Sequence, residues 1–215
     1  MNRTLRLPRM CLSAPRLAPH LIVLFSTPAR SSIKADIARW ASILHMAKPV
    51  SNWGYAVALI ELMTFLPEFR NLFYFRCGLP AKVFSWLCPP LRSLEICADY
   101  IGPGLFIQHG GSSLISAHRI GANCWINQQV TIGYTNDIDR PTIGDRVQIC
   151  AGAKVVGNVT IGDDAVVGLN TVVIDNVAPN VTVFGVPGRV ISRRGTPPNR
   201  AGEPLQMVNA AETAR

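Results

Sequence analysis

The sequence predicts a mainly β chain, a parallel β-helix of hexapeptide repeats preceded by a small α-helical region. Three observations predict it. Ile143, Ile149, Val155, Ile161, Val167 and Val173 recur every six residues without a break. Four positions after each lies a small or β-branched residue: Val147, Ala153, Val159, Ala165, Thr171 and Val177. Aromatic residues are few, and most lie before residue 90, so the chain has two parts of different character. Apolar residues six apart rotate around a helix of 3.6 residues per turn instead of lining one face. A period of six suits one short strand and a turn per repeat, with the aliphatic side chain pointing inward and the small one filling the space beside it.

In chain order, residues 1–30 contain Arg3, Arg6, Arg9, Arg16 and Arg30, no acidic residue, and Pro8, Pro15, Pro19 and Pro28. Leu21 to Phe25 is too short for a signal-peptide core. This stretch reads as a disordered extension or a start upstream of the native one. Residues 31–92 form a helical region. Ser31 and Ser32 are candidate caps for a helix over about 33–47 that ends at Pro49. A second helix runs over 53–66 and stops at Pro67. A third covers 68–76, closed by Gly78 and Pro80, and a fourth covers 81–87, stopped by Pro89 and Pro90. No apolar run reaches the ~20 residues of a membrane span, and the longest is broken by Glu61. The aromatic stretch 67–76 is read as helix packing, with an interfacial membrane helix as the alternative.

Residues 93–192 form the β-helix. Ile101 and Ile107 start the hexads. Leu114, Ile120, Ile126 and Ile132 continue them after a slip of one residue, and ten residues then precede the unbroken series. Twelve hexads at three per coil give about four coils. On this count Ile107, Ile126, Ile149 and Val167 share a face, as do His109, Gln128, Ala151 and Leu169. Glycine follows the aliphatic residue at 102, 121, 133, 144, 162 and 168, as a corner with unusual dihedrals would want. The stretch 133–142 exceeds a corner and is expected to protrude. Residues 193–215 read as a disordered tail.

Net charge is +8, and the five arginines before residue 31 leave +3 for the rest. With no basic stripe interleaved with aromatics, a nucleic-acid partner is not expected. Six cysteines show neither CxxC nor metal-ligand spacing, so they read as unpaired thiols in a reducing, cytoplasmic setting, with no metal.

The chain from about 95 to 191 resembles the hexapeptide-repeat acyltransferases, and within them the serine acetyltransferases. The resemblance rests on Gly104 to Gly110, Val130 to Gly133, Pro141 to Asp145, Ala151 to Gly162, and Val177 through Gly185-Val186-Pro187-Gly188-Arg189-Val190. It implies a left-handed β-helix, a homotrimer with active sites between subunits, and acetyl-CoA as donor. Moving an acetyl group from a thioester to an alcohol needs a base, oxyanion donors and a grip on CoA. His109 is the candidate base, with Gly110 and Gly111 leaving room beside it. His118 and His45 lack such a context and read as structural or exposed.

The family places an acid about one coil before the catalytic histidine. Glu95 is the nearest equivalent here, one residue short in spacing, with Asp99 as the fallback. The family's acceptor loop carries Arg-His before a proline, where this chain has Asp139-Arg140-Pro141. Arg140 is therefore the candidate acceptor residue, unless it pairs with Asp137 or Asp139. Gln108 replaces the family's acidic neighbour of the base. Ala151, Gly152, Ala153, Lys154, Gly185, Pro187 and Arg189 are the candidate CoA-binding residues, with Arg193 and Arg194 near the phosphates. The expected activity is serine O-acetylation, feeding cysteine biosynthesis. The alternatives are O-acetylation of a sugar or polysaccharide hydroxyl, and a non-catalytic scaffold.

Overall fold

The computed structural model describes residues 6–136 and 138–193. Five helices precede the strands: α1 (Arg6–Ser26), α2 (Arg30–Ile43), α3 (Asn52–Phe65), α4 (Pro67–Cys77) and α5 (Leu79–Lys82). In place of the disordered extension expected over residues 1–30, α1 is a helix of 21 residues. Its Pro15 and Pro19 each remove an N–H donor, which hid the helix in the sequence. Burial of Leu17, His20, Val23 and Leu24 outweighs that loss. The capping expectation also changes. Ser31 and Ser32 lie inside α2, whose N-cap position is Ala29, whereas Ser51 caps α3 by accepting from the Gly54 N–H at 3.1 Å. The tail over 194–215, Arg194 and Asp137 fall outside the described residues, as does the side chain of Arg193.

His20 is fully buried, and its Nε2 lies 2.9 Å from the Tyr74 hydroxyl. That hydroxyl donates to the Cys88 carbonyl at 2.7 Å, so the imidazole donates to the tyrosine oxygen and its Nδ1 is left without a partner. Burial lowers its pKa from the usual 6.5. The unfolded chain then takes up a proton that the folded chain refuses, so stability falls as pH drops below about 6.5. Melting temperature followed from about pH 7 to pH 5 is expected to decline, and His20→Leu to remove part of that slope. An unchanged slope in the variant would assign it elsewhere.

The rest of the chain winds into a left-handed parallel β-helix of about five coils with three sheets. The first sheet holds β1 (Leu94–Ile96), β4 (Ser113–Ile115), β7 (Thr131–Gly133), β10 (Lys154–Val156) and β13 (Val172–Val173). The second holds β2 (Tyr100–Ile101), β5 (Arg119–Ile120), β8 (Thr142–Ile143) and β11 (Thr160–Ile161). The third holds β3 (Phe106–Ile107), β6 (Trp125–Ile126), β9 (Gln148–Ile149), β12 (Val166–Val167), β14 (Val181–Phe184) and β15 (Arg189–Arg193). All pairs are parallel except β14 with β15, which folds back antiparallel at the last coil.

The coil count of about four is therefore corrected, because β1 opens a coil before the first clear hexad. The inward residue of β4 is Ile115, not Leu114: Ile96, Ile115 and Ile132 share one register. The slip consequently falls between Ile107 and Ile115, at the corner that carries His109.

The corner glycines also serve a different purpose from the one expected. Gly102, Gly121, Gly144 and Gly162 have ordinary φ. Each faces the backbone of the next coil so closely that a Cβ does not fit; at Gly162 it would lie 2.5 Å from the Pro179 nitrogen. The left-handed dihedrals fall two residues later, at Gly104, Asn123, Arg146 and Asp164. Gly162→Ala is thus expected to cost about 1–3 kcal/mol in urea unfolding, as overpacking does. A variant as stable as the parent would show that the coils can part at no cost.

The helical region is anchored on the first coil. Asp36 of α2 accepts from Arg76 Nε at 2.8 Å and from the Gly104 N–H at 2.7 Å. Arg76 also donates to the carbonyls of Ile101 and Gly102. Trp40 Nε1 donates to the Leu105 carbonyl at 2.8 Å, and its ring meets Phe69 and Phe106 at centroid distances of 5.1 and 4.6 Å.

Candidate active site

The register places His109, Gln128, Ala151, Leu169 and Gly185 two residues after the inward side chains of β3, β6, β9, β12 and β14. They form one column along the corner between the third and first sheets. Coils stack about 4.8 Å apart, so Ala151 lies about 10 Å and Gly185 about 19 Å from His109 along that column. His109 is exposed, with φ 60°, one of the residue types that tolerate the left-handed region. Gly110 behind it is buried, and a Cβ there would meet Leu94 Cδ2 at 2.9 Å and Glu68 Cβ at 3.2 Å. The corner is two residues longer than the six-residue pace, since Ile107 to Ile115 spans eight. It leaves the imidazole on the outside, with no hydrogen-bond partner for the ring among the described residues.

Glu95 does not reach this histidine. It points from the outer face of β1, in register with Leu114, and accepts from the Cys97 thiol at 3.3 Å. Among the described residues, no carboxylate is hydrogen-bonded to or ion-paired with His109. Gln108 is turned aside as well: its Oε1 accepts from Trp125 Nε1 at 3.2 Å, while the indole also donates to Asn127 at 2.7 Å. Lys154 spends its ammonium on the carbonyls of Gln129 and Gly152, at 2.8 and 2.9 Å, and so fastens two coils at the corner. Gly152 has φ 75°, and Ala151 and Ala153 keep this corner small. Gly185, with φ 104°, opens the turn to β15. That turn contains the cis Val186–Pro187 bond and leaves Pro187 and Arg189 exposed. Gly185 and Ala151 thus share the column with His109, and Arg189 lies beside Phe184 at the start of β15, whereas Glu95 and Arg140 lie elsewhere.

Arg140 lies at the corner between the first and second sheets, at the end of the expected protruding loop. Asn136 folds this loop by accepting from the N–H groups of Ile138 and Asp139, each at 3.0 Å. Arg140 pairs with Asp99, its NH1 donating at 2.7 Å, and not with Asp139. The other oxygen of Asp99 lies 3.0 Å from His118 Nδ1. The hydrogen bond from His118, foremost, and that from the Arg140 guanidinium hold the Asp99 carboxyl below the usual carboxylate range. This cluster escaped the sequence reading. Asp99, His118 and Pro141 each lie two residues before the inward side chain of the second sheet, and only positions after that side chain were compared.

All six cysteines are unpaired. Cys124 is core, donating to the Gly144 carbonyl at 3.1 Å, and burial pushes its thiol up to about 12. Among the described residues, no group of three or more His, Cys, Asp or Glu could hold a metal ion. None of the described helices is long and apolar enough to cross a membrane.

Hexad-paced coils, three sheets and a hairpin-closed end make this chain a left-handed β-helix of hexapeptide repeats. Residues 140–175 match the family described as bacterial transferase hexapeptide (six repeats). The curated relatives it resembles are serine acetyltransferases. That of Synechococcus elongatus is 42% identical over 119 residues, covering 53% of this chain and 49% of the relative. That of Staphylococcus epidermidis is 40% identical over 131 residues, covering 59% of this chain and 62% of the relative. The chain thus spans about half to three-fifths of the length of the curated relatives it matches. Among solved structures, the fold is similar to serine acetyltransferase from Brucella abortus in complex with coenzyme A. The TM-score is 0.62 and identity 24%, covering 90% of this chain and 84% of that one.

Proposed function

We propose that this chain is an acetyl-CoA-dependent serine O-acetyltransferase, with His109 as general base. The observation that carries the reading is the corner column. It sets an exposed, unpartnered imidazole in line with a small Ala151-Gly152-Ala153 corner and the Gly185–Pro187 turn. The relatives' identity over the same segment supports the choice of serine. The acceptor hydroxyl gives its proton to His109 Nε2 or Nδ1 as its oxygen attacks the thioester carbonyl. The C–S bond then breaks, and the imidazolium returns the proton to the CoA thiolate. The Gly111 N–H is taken by the His109 carbonyl, which leaves the backbone N–H of Gly110 as the candidate donor for the developing oxyanion. Ala151, Gly152 and Ala153 let the pantetheine arm approach the backbone, and Arg189 meets the phosphates. Since no described carboxylate is bonded to His109, the acid that orients it comes from a second subunit, in a cytoplasmic homotrimer whose sites lie between subunits.

A sugar acceptor is the second reading, favoured by Gln108 in place of an acid and by a loop without histidine. The test is free CoA released on mixing the protein with acetyl-CoA and L-serine, read with a thiol reagent, beside a panel of sugar acceptors. Release with sugars alone would replace serine as the acceptor. Release with neither, together with no acetyl-CoA binding by calorimetry, would leave a scaffold.

A further inference from the structure

Arg6, Arg9, Ser13 and Arg16 follow one another along α1 at spacings of three and four residues, which puts them on one face of the helix. The C-terminal turn of α3 lies alongside and brings Thr64 and Phe65. Between the two helices runs a groove of about 290 Å³, lined by Arg9, Leu12, Ser13, Arg16, Thr64 and Phe65. Arg6 stands beside it, its guanidinium 5.6 Å from the centroid of the Phe65 ring and paired with Glu61 at 3.1 Å.

The groove is lined by two guanidinium groups and no acid. α1 contains no acidic residue, and Glu61, the one acid of α3, is already held by Arg6. Arg16 donates one N–H to Ser13 Oγ at 3.2 Å, and Arg9 has no hydrogen-bond or ion-pair partner among the described residues. A helix C-terminus ordinarily repels an anion, because its last carbonyls carry partial negative charge. Here Arg70 covers them, donating to the carbonyls of Met63 and Thr64 at 2.6 and 2.9 Å. Arg6 Nε and Thr64 Oγ1 are buried with no partner. Buried polar atoms are ordinarily hydrogen-bonded, so these two call for an explanation.

The donors suit a tetrahedral oxyanion. Guanidinium forks bind phosphate oxygens through paired N–H groups, and a hydroxyl adds a third direction. A phosphate monoester has three oxygens to share among Arg9, Arg16 and Thr64, where a carboxylate has two.

We propose that the groove between α1 and α3 binds a phosphate group, with Arg9 and Arg16 as fork donors and Thr64 Oγ1 as the third donor. The site goes beyond the acyl-transfer reading and stands without it, because neither helix contributes a residue to the His109 column. Two sources supply this chemistry: a soluble phosphate, or the headgroup of an anionic lipid. In the second case Leu7, Leu12 and Ile22, exposed on α1, meet the membrane surface.

The test uses the full chain, with ionic strength held constant by chloride. Inorganic phosphate is titrated by calorimetry. Vesicles of phosphatidylcholine, with and without phosphatidic acid, are tested by co-sedimentation. The variants are Arg9→Gln, Arg16→Lys and Thr64→Val, with melting temperature as the control for folding. Arg16→Lys keeps the charge and removes the fork, while Thr64→Val keeps the shape and removes the hydroxyl. Each variant is expected to weaken binding about tenfold, the scale of a hydrogen bond to a charged group. Thr64→Val should not lower the melting temperature, since its hydroxyl has no partner to lose.

Phosphate binding that weakens in all three variants upholds the site with a soluble ligand. Sedimentation with phosphatidic acid vesicles alone, lost in the same variants, upholds it with a lipid headgroup. Binding that survives intact in Arg16→Lys and Thr64→Val overturns it, because diffuse positive charge then suffices. Absence of binding to phosphate and to both kinds of vesicle overturns it as well.

Discussion

His109→Ala is expected to lower acetyl transfer by about 10²- to 10⁴-fold, the usual contribution of a positioned base. Acetyl-CoA affinity and melting temperature should barely move, because the ring is exposed. The loss should appear in kcat more than in the KM for either substrate, since the proton is moved only as the hydroxyl attacks. A variant retaining more than about a tenth of the parent rate would remove the role of base from His109.

Asp36→Ala is expected to destabilise the fold by about 3–5 kcal/mol, the range for removing one partner of a buried ion pair. The side chains of Asp36 and Arg76 are 2% and 7% exposed, so a guanidinium left alone keeps only the carbonyls of Ile101 and Gly102. Burial raises the carboxyl of Asp36 above its usual range, against the opposing pull of Arg76. Urea unfolding measures the loss. Asp36→Asn, which keeps an acceptor for the Gly104 N–H, should lose less. Replacing both residues by apolar ones of similar size should recover much of the loss. A loss under about 1 kcal/mol for Asp36→Ala would mean that the helical region is held by Trp40 and its aromatic neighbours alone.

The β-helix was legible because its period is enforced at every coil. Ile143, Ile149, Val155, Ile161, Val167 and Val173 all point inward, so a single substitution by a polar residue would be costly anywhere along them. The first coil was harder to see. Its Ile96 and Ile101 are five apart, and Leu94 and Ile96 sit where the chain has just left the helices. Helix α1 was invisible for a related reason: propensity opposes Pro15 and Pro19, and only tertiary burial against α3 overrides it.

The site was half legible. Counting residues after each inward side chain brought His109, Gln128, Ala151 and Leu169 onto one corner, and the register of the strands adds Gly185. Glu95 was tied to His109 by separation along the chain, but in a strand the outward direction decides contact, and Glu95 faces out from the first sheet. Lys154 was read by its charge, yet backbone carbonyls of two coils already hold it. Asp99 and His118 needed the same count made before the inward residue.

The two ends of the β-helix have a consequence for how copies of this chain can meet. A coil ends in exposed strand edges, each a template on which a further coil, or another molecule, can grow. At one end the edge is occupied by α2 and α4, through Trp40, Arg76 and Asn71, the last donating to the Leu94 carbonyl at 2.8 Å. At the other end β15 lies along β14. The turn before it exchanges backbone bonds with Val172, and Asn176 accepts from the Thr160 N–H at 2.7 Å. The first coil is therefore covered by helices, and the last described coil is overlaid by an antiparallel strand out of line with the parallel register, so neither end offers a further coil the parallel template that the coils within offer one another.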